Sequence, residues 1–210
     1  MAACTVPGRF ELPRVSGVLY VAAIDPSGGS ADSMTLAIAY YDRATKRAVL
    51  AAVRERRPPF SPDDVVLEFT QLLRAYGVRR IISDNYGGEW PRDRFKAHGI
   101  VVDPAPKTKN EAYIELLPLL NSGRVELLDH KRLIAQLCGL ERHTARSGRD
   151  TITHAPRAHD DLINAAALAL VTAASGPQPM RITDAALRRM SIPSVPAAFL
   201  QPSFTNRFRY

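Results

Sequence analysis

The chain has few cysteines: Cys4 and Cys138 are the only two in 210 residues. Two thiols this far apart build neither a disulfide framework nor a zinc cluster, and they fit a reducing, cytoplasmic setting. Long apolar runs are missing too. The stretch Ala165–Ala174 is Ala-rich and falls short of the roughly 20 residues a bilayer span needs, so no membrane partner is expected. The N-terminus has no basic segment leading into an apolar one, which excludes a secretory signal. No GxxxxGK[ST] phosphate loop occurs, so no ATPase activity is assigned. There is no internal repeat. Acids are the scarcer charge, with Asp+Glu 21 against Lys+Arg 28 and a net charge of +7. That balance favours a polyanionic partner such as nucleic acid.

What remains is a soluble composition, 46% hydrophobic and 23% charged, with enough apolar residues for one real core. Residues 1–17 carry Pro7, Gly8, Pro13 and Gly17 without periodicity and read as a leader or linker. Residues 176–210 form a Pro/Arg-rich tail, with a short helix expected near Thr183–Met190. Between them, residues 18–175 alternate compactly. Val18–Ile24, Met34–Tyr41 and Arg47–Arg54 read as three strands of an antiparallel meander. Ser61-Pro62-Asp63-Asp64 opens a helix: Ser61 caps, Pro62 suits the first position, and the acids suit the positive helix end. Val78–Ser83, Gly99–Val102 and Arg124–Leu127 read as strands, and Trp90–Ala97, Asn110–Leu120 and His130–Leu140 as helices. Arg142–Thr144 and Thr151–His154 flank a hairpin turn, and Asp160–Ala174 is a strong helix. The order β-β-β-α-β-α-β, then an insertion and a last helix, predicts an α/β fold. Its mixed sheet has three antiparallel strands followed by parallel βα units, with helices on both faces.

The chemistry concentrates at element ends. Asp25 closes the first strand in AAIDPSGG, Asp84 closes the fourth in IISDNYGG, and Asp160 and Asp161 open the last helix in HDDLINAAALAL. Singly, each has an ordinary role in a turn or at a helix cap. Jointly they point elsewhere. If the first and fourth strands are parallel neighbours, Asp25 and Asp84 emerge side by side at the sheet edge where α/β proteins bind ligands. The helix then delivers Asp161 to the same point. Clustered carboxylates repel, each raising the pKa of the others, and a hard divalent ion removes that penalty. A pair of ions about 3.5–4 Å apart suits phosphodiester hydrolysis. Asp32, across the turn from Asp25, is a further acidic candidate ligand. Asn164, at i+3 from Asp161, is placed to hold a bound water. Gly28–Gly29 and Gly87–Gly88 leave room for backbone to approach phosphate or metal. His159 stands behind the ligands, while His98, His130 and His154 are expected as surface or packing residues.

Together the blocks AIDPSGG with Asp32, SDNYGG, PKTKNEAYIELLPLLNSGRVELLDHKRLIAQLCGLERH and TARSGRDTITHAPRAHDDLINAAALAL resemble the nuclease domain of phage and herpesvirus large terminase subunits. That domain belongs to the RNase H-like, or retroviral-integrase-like, superfamily. The resemblance spans Tyr20–Ser175, and its most specific part is the basic hairpin followed by His-Asp-Asp and an Ala-rich helix. It implies a five-stranded RNase H-like sheet with a β-hairpin insertion, and Asp25, Asp84 and Asp161 as a catalytic metal triad with Asp160 adjacent as a further candidate ligand. It also implies two Mg2+ or Mn2+ ions and cleavage of double-stranded DNA during genome packaging in a host cytoplasm. Related resolvases carry a second acid at i+3 of the last helix, where this chain has Asn164. Full large terminases join this nuclease to an ATPase motor that this chain is expected to lack, as an excised domain, a split gene product or a prophage remnant, so a separate motor, a small terminase subunit and the portal or prohead are the implied partners. Arg142, Arg146, Arg149 and Arg157 around the hairpin, with Lys107 and Lys109 after the fifth strand, are the expected contacts to DNA phosphates. Two alternatives stay open: a Holliday-junction resolvase of the same superfamily, and a non-catalytic remnant that binds DNA or a packaging partner.

Overall fold

A computed structural model describes residues 4–30, 32–84, 90–144, 150–155 and 158–176. The expected helix near 183–190 and the whole tail lie outside the described residues.

The three-strand meander is β1 (Tyr20–Asp25), β2 (Met34–Asp42) and β3 (Arg47–Arg56), each pair antiparallel. The chain then runs through α1 (Pro62–Ala75), β4 (Arg80–Ser83), α2 (Trp90–Ala97) and β5 (Val101–Pro104). It continues through α3 (Lys109–Asn121), β6 (Val125–Glu126) and α4 (Lys131–Cys138) to a hairpin, β7 (Leu140–Thr144) and β8 (Asp150–His154). It closes with α5 (Asp161–Ala174). The main sheet has the order β5-β4-β1-β2-β3-β6, and the hairpin forms a separate two-stranded sheet. The sheet therefore has six strands, not the expected five. The extra one is the two-residue β6, which lies parallel to β3 at the far edge, pairing Ala48 with Val125.

Side-chain alternation divides the sheet between two cores. Ala22, Ile24, Leu36 and Ile38 face one side, where Val65, Val66, Phe69 and Leu73 of α1 and Phe95 of α2 cover them. Ala23, Ala37, Ala39 and Ala48 face the other, against α5 and, further out, α3 and α4. A bulge in β3 keeps both cores filled. Ile38 pairs with Ala52 and Ala39 with Leu50, so Ala51 is the additional residue. The α1 side buries large side chains, each worth roughly 1.5–3 kcal/mol. The α5 side is built mainly from alanines on the strands and on the helix, so α5 lies close on the sheet.

The helix starts follow from their residues. The Ser61 side chain accepts from the Asp64 N–H with Pro62 in the first turn, as the sequence indicates. Thr108 and Glu111 form a reciprocal capping box that starts α3 at Lys109. His130 accepts the Leu133 N–H through Nδ1 at 3.2 Å and caps α4. Residues expected as a leader are tied to the domain: Thr5 bridges to Leu127, Leu12 N–H donates to the Ala51 carbonyl at 2.8 Å, and the Tyr76 hydroxyl donates to the Leu12 carbonyl. Among the described residues no helix is long and apolar enough to cross a membrane.

Candidate functional site

β1 and β4 are parallel neighbours with Ile24 opposite Ser83. Asp25 and Asp84 each follow directly, so the two acids leave adjacent strands at the same edge. On the other flank of β1, Asp25 pairs with Thr35 of β2. The fully buried Thr35 hydroxyl donates to the Asp161 carbonyl at 2.8 Å, which anchors the first residue of α5 beside that pair. One turn into α5, Asn164 Nδ2 donates to Asp25 Oδ2 at 2.8 Å. Three segments distant in sequence thus converge through backbone register and two hydrogen bonds.

Asp25, Asp32, Asp84, Asp160, Asp161 and Asn164 all line one cavity of about 1060 Å³. Lys107, Lys109, His154 and His159 border the same space. The loop after β1 is shaped by Gly29 at φ 85, where a Cβ would stand 2.5 Å from the Phe60 carbonyl oxygen, so no other residue fits. Gly87 and Gly88 lie outside the described residues.

Burial pushes the Asp25 carboxyl up to about 7; the Asn164 hydrogen bond opposes this and the neighbouring Asp161 adds to it. Burial also raises the Asp161 pKa, against the pull of His159, with Asp32 and Asp160 contributing. Mutual repulsion was expected to raise these acids, but desolvation is the larger cause. His159 is exposed, its Nδ1 4.0 Å from Asp161 Oδ2.

The two adjacent acids at the start of α5 have different surroundings. Asp160 is 3% exposed, and Lys109 Nζ donates to it at 2.7 Å and the Tyr113 hydroxyl at 3.0 Å. Burial holds the Tyr113 hydroxyl well above its ordinary pKa, so it stays a donor. Asp160 occupies the N-cap position of α5 without making a side-chain cap bond. Asp161, in contrast, has a buried Oδ2 with no hydrogen-bond donor, and so does Asn164 Oδ1. A buried unsatisfied acceptor costs about 1–3 kcal/mol, and both belong to residues lining the cavity.

Among the described residues no three His, Cys, Asp or Glu side chains stand close enough to ligate one ion together. That excludes a closed cage of the structural-zinc kind. It does not conflict with Mg2+, which is typically bound through one or two carboxylates and completes its shell with water and substrate phosphate. Oxygen donors, raised carboxyl pKa values and unsatisfied buried oxygens fit such a hard divalent ion.

The expected DNA contacts divide. Lys107 and Lys109 border the cavity but are paired, with Glu115 and Asp160 respectively. Arg142 pairs with Asp150 across the hairpin, away from the cavity lining. Arg146, Arg149 and Arg157 lie outside the described residues. Sequence reasoning missed Tyr113, Thr35 and His154. Tyr113 stands at i+4 from Lys109 on one face of α3, a spacing that was available. His154, expected as surface or packing, borders the cavity with Nε2 3.7 Å from Asp160 Oδ1.

No protein-family model and no curated protein matches the sequence. Solved structures do match. The large terminase nuclease from thermophilic phage G20c superposes with a TM-score of 0.63 at 20% identity, over 77% of this chain and 92% of that one. The P22 large terminase nuclease domain gives 0.57 at 13%, over 81% and 88%. The HK97 bacteriophage large terminase gives 0.64 at 14%, over 81% of this chain and 42% of that longer one.

The chain has the fold of the phage large terminase nuclease domains.

Within that terminase nuclease fold, which is RNase H-like, the strands that lead to Asp25 and Asp84 are the adjacent parallel pair β1 and β4. The G20c nuclease has also been solved with bound magnesium, cobalt and zinc.

Proposed function

We propose that this chain is a divalent-metal-dependent endonuclease that hydrolyses the phosphodiester backbone of double-stranded DNA, as a terminase nuclease does in genome packaging. The observation that carries the reading is the parallel register of Ile24 and Ser83. It sets Asp25 and Asp84 side by side while Thr35 and Asn164 tie α5, and Asp161 with it, to the same edge. Likeness to nucleases solved with bound divalent metals supports the reading.

Asp25, Asp84 and Asp161 are the residues that would hold two Mg2+ or Mn2+ ions, with Asp32 as an outer acid. Bound there, such a pair supplies an activated water on one side of the phosphorus and charge neutralisation for the leaving oxygen on the other. The chain's own residues do the positioning. Asn164 keeps Asp25 in one rotamer through its amide and retains a carbonyl oxygen to accept from water. Asp160 is fully engaged by Lys109 and Tyr113, so it orients the start of α5 and is not itself a ligand. His159 sits on the exposed side of Asp161. A separate ATPase motor, a small terminase subunit and a portal are the partners this role calls for.

Plasmid nicking in Mg2+ or Mn2+ tests the proposal. Asp25→Ala and Asp161→Ala should each lose cutting while circular dichroism stays native. Undiminished cutting by both variants sinks it.

A further inference from the structure

At the other end of β4 from the acidic cavity lies a second depression, of about 740 Å³. Four parts of the chain meet there, bringing three guanidiniums and an imidazole. Arg14 comes from the N-terminal segment, Arg74 from the last turn of α1, Arg79 from the residue before β4, and His98 from the turn after α2. Among the described residues no acid lines the depression. Among the described residues none of the three guanidiniums has a carboxylate within ion-pair distance, although their neighbours do. Arg80 pairs with Asp103 at 2.9 Å, and Glu11 pairs with Arg54 at 2.8 Å.

Two of the three arginines are also held in place. Gly77 ends α1 at φ 73, and the Arg14 guanidinium lies against it, with Nη2 3.0 Å from where a Cβ would stand. Arg74 Nη2 donates to the His98 carbonyl at 2.7 Å, joining the ends of α1 and α2. A helix C-terminus favours a cation, which accounts for Arg74. It does not account for Arg14 and Arg79 arriving from outside both helices without counter-charges. Convergent guanidiniums repel unless an anion lies between them, and their planar forks match phosphate oxygens in bidentate geometry.

We propose that the depression lined by Arg14, Arg74, Arg79 and His98 is a binding site for a phosphoryl oxyanion, separate from the acidic cavity. The same chemistry is offered by a DNA backbone phosphate and by a small phosphate ligand. The site does not depend on the nuclease reading, and its test does not use cutting.

The test is an amide chemical-shift titration of the full-length chain in EDTA, first with inorganic phosphate at constant ionic strength, then with a short blunt duplex. Phosphate should move the Gly77, Arg79 and Gly99 amides saturably. The double variant Arg14→Gln/Arg79→Gln should weaken that binding at least tenfold while its spectrum elsewhere stays native. Arg43→Gln, an exposed arginine on the β2–β3 turn, should titrate like wild type. If the duplex moves the same amides and phosphate competes with it, the source is nucleic-acid backbone. If only phosphate does so, the ligand is a small phosphate. The proposal is overturned if chloride moves these amides as far as phosphate does, if the double variant titrates like wild type, or if neither probe gives a saturable shift.

Discussion

Asp25 is a carboxyl group whose burial is not matched by its donors. Among the described residues its one side-chain donor is Asn164, and burial holds its pKa at about 7. The stability consequence has a definite sign. The folded carboxyl keeps its proton up to about pH 7, whereas the unfolded one loses it near the ordinary value of about 4. The folded state therefore binds more protons across that window, and stability present below pH 4 is lost as pH rises to about 7. In EDTA the melting temperature should fall over this range relative to Asp25→Asn, which has no such proton. The relative fall should be on the order of 10 °C, since a shift from about 4 to about 7 is worth about 4 kcal/mol and a domain of this size moves about 2–4 °C per kcal/mol. Adding Mg2+ above pH 7 should raise the wild-type melting temperature and leave that of Asp25→Asn nearly unchanged. Thermal melts at half-unit pH steps check both parts. A flat wild-type-minus-variant difference would mean that Asp25 titrates normally.

At the scale of elements, the site depends on what α3 contributes to α5 and to the hairpin. Asn110 Oδ1 accepts the Ile152 N–H at 2.7 Å, and its Nδ2 donates to the Asp150 carbonyl at 3.4 Å, so one amide seats β8 on α3. Asn110→Ala should cost about 1–2 kcal/mol by leaving a buried N–H unpaired. It should also speed hydrogen exchange at Ile152, measured against Ala39 as an internal standard. Tyr113→Phe removes one of two donors to Asp160. It should lower nicking about tenfold, or about 1.4 kcal/mol of barrier, with metal affinity little changed, if Asp160 positions α5 as proposed and does not hold metal.

These contacts also mark how much was legible in the sequence. Asp25 and Asp84 were readable because strand ends and parallel neighbours follow from local apolar runs and short connections. The different surroundings of Asp160 and Asp161 were not readable. They depend on Lys109 and Tyr113, which lie about fifty residues upstream and reach Asp160 only through packing of α3 on α5. The strand at 124–127 was visible as an apolar segment, but its pairing with β3 was not, since two residues carry no register information. The hairpin was recognisable from its turn. The pairing of Arg142 with Asp150, which removes a free cation from the expected DNA contacts, needed the cross-strand geometry.

For the whole molecule, the charge of +7 coexists with an acidic cavity and an unpaired basic depression. Duplex binding should therefore weaken linearly on a log–log plot against salt, with a slope near −0.9 per phosphate contacted. Arg14→Gln/Arg79→Gln should flatten that slope if the backbone is the ligand there, as filter binding between 50 and 200 mM salt would read. Deleting residues 177–210 should leave nicking of naked plasmid largely intact. Loss of cutting in that truncation would assign the tail a part in holding substrate.

The alanine lining between α5 and the sheet has one more consequence. Filling a core with larger side chains is a common route to a hardier protein, and on the α1 side, with its Phe, Leu and Ile, that route is open. On the α5 side each added methylene would lift the helix off the strands and carry Asp161 away from Asp25 and Asp84. Attempts to toughen this domain should therefore divide by face. Gains on one side would keep the chemistry, whereas gains on the other would trade it away.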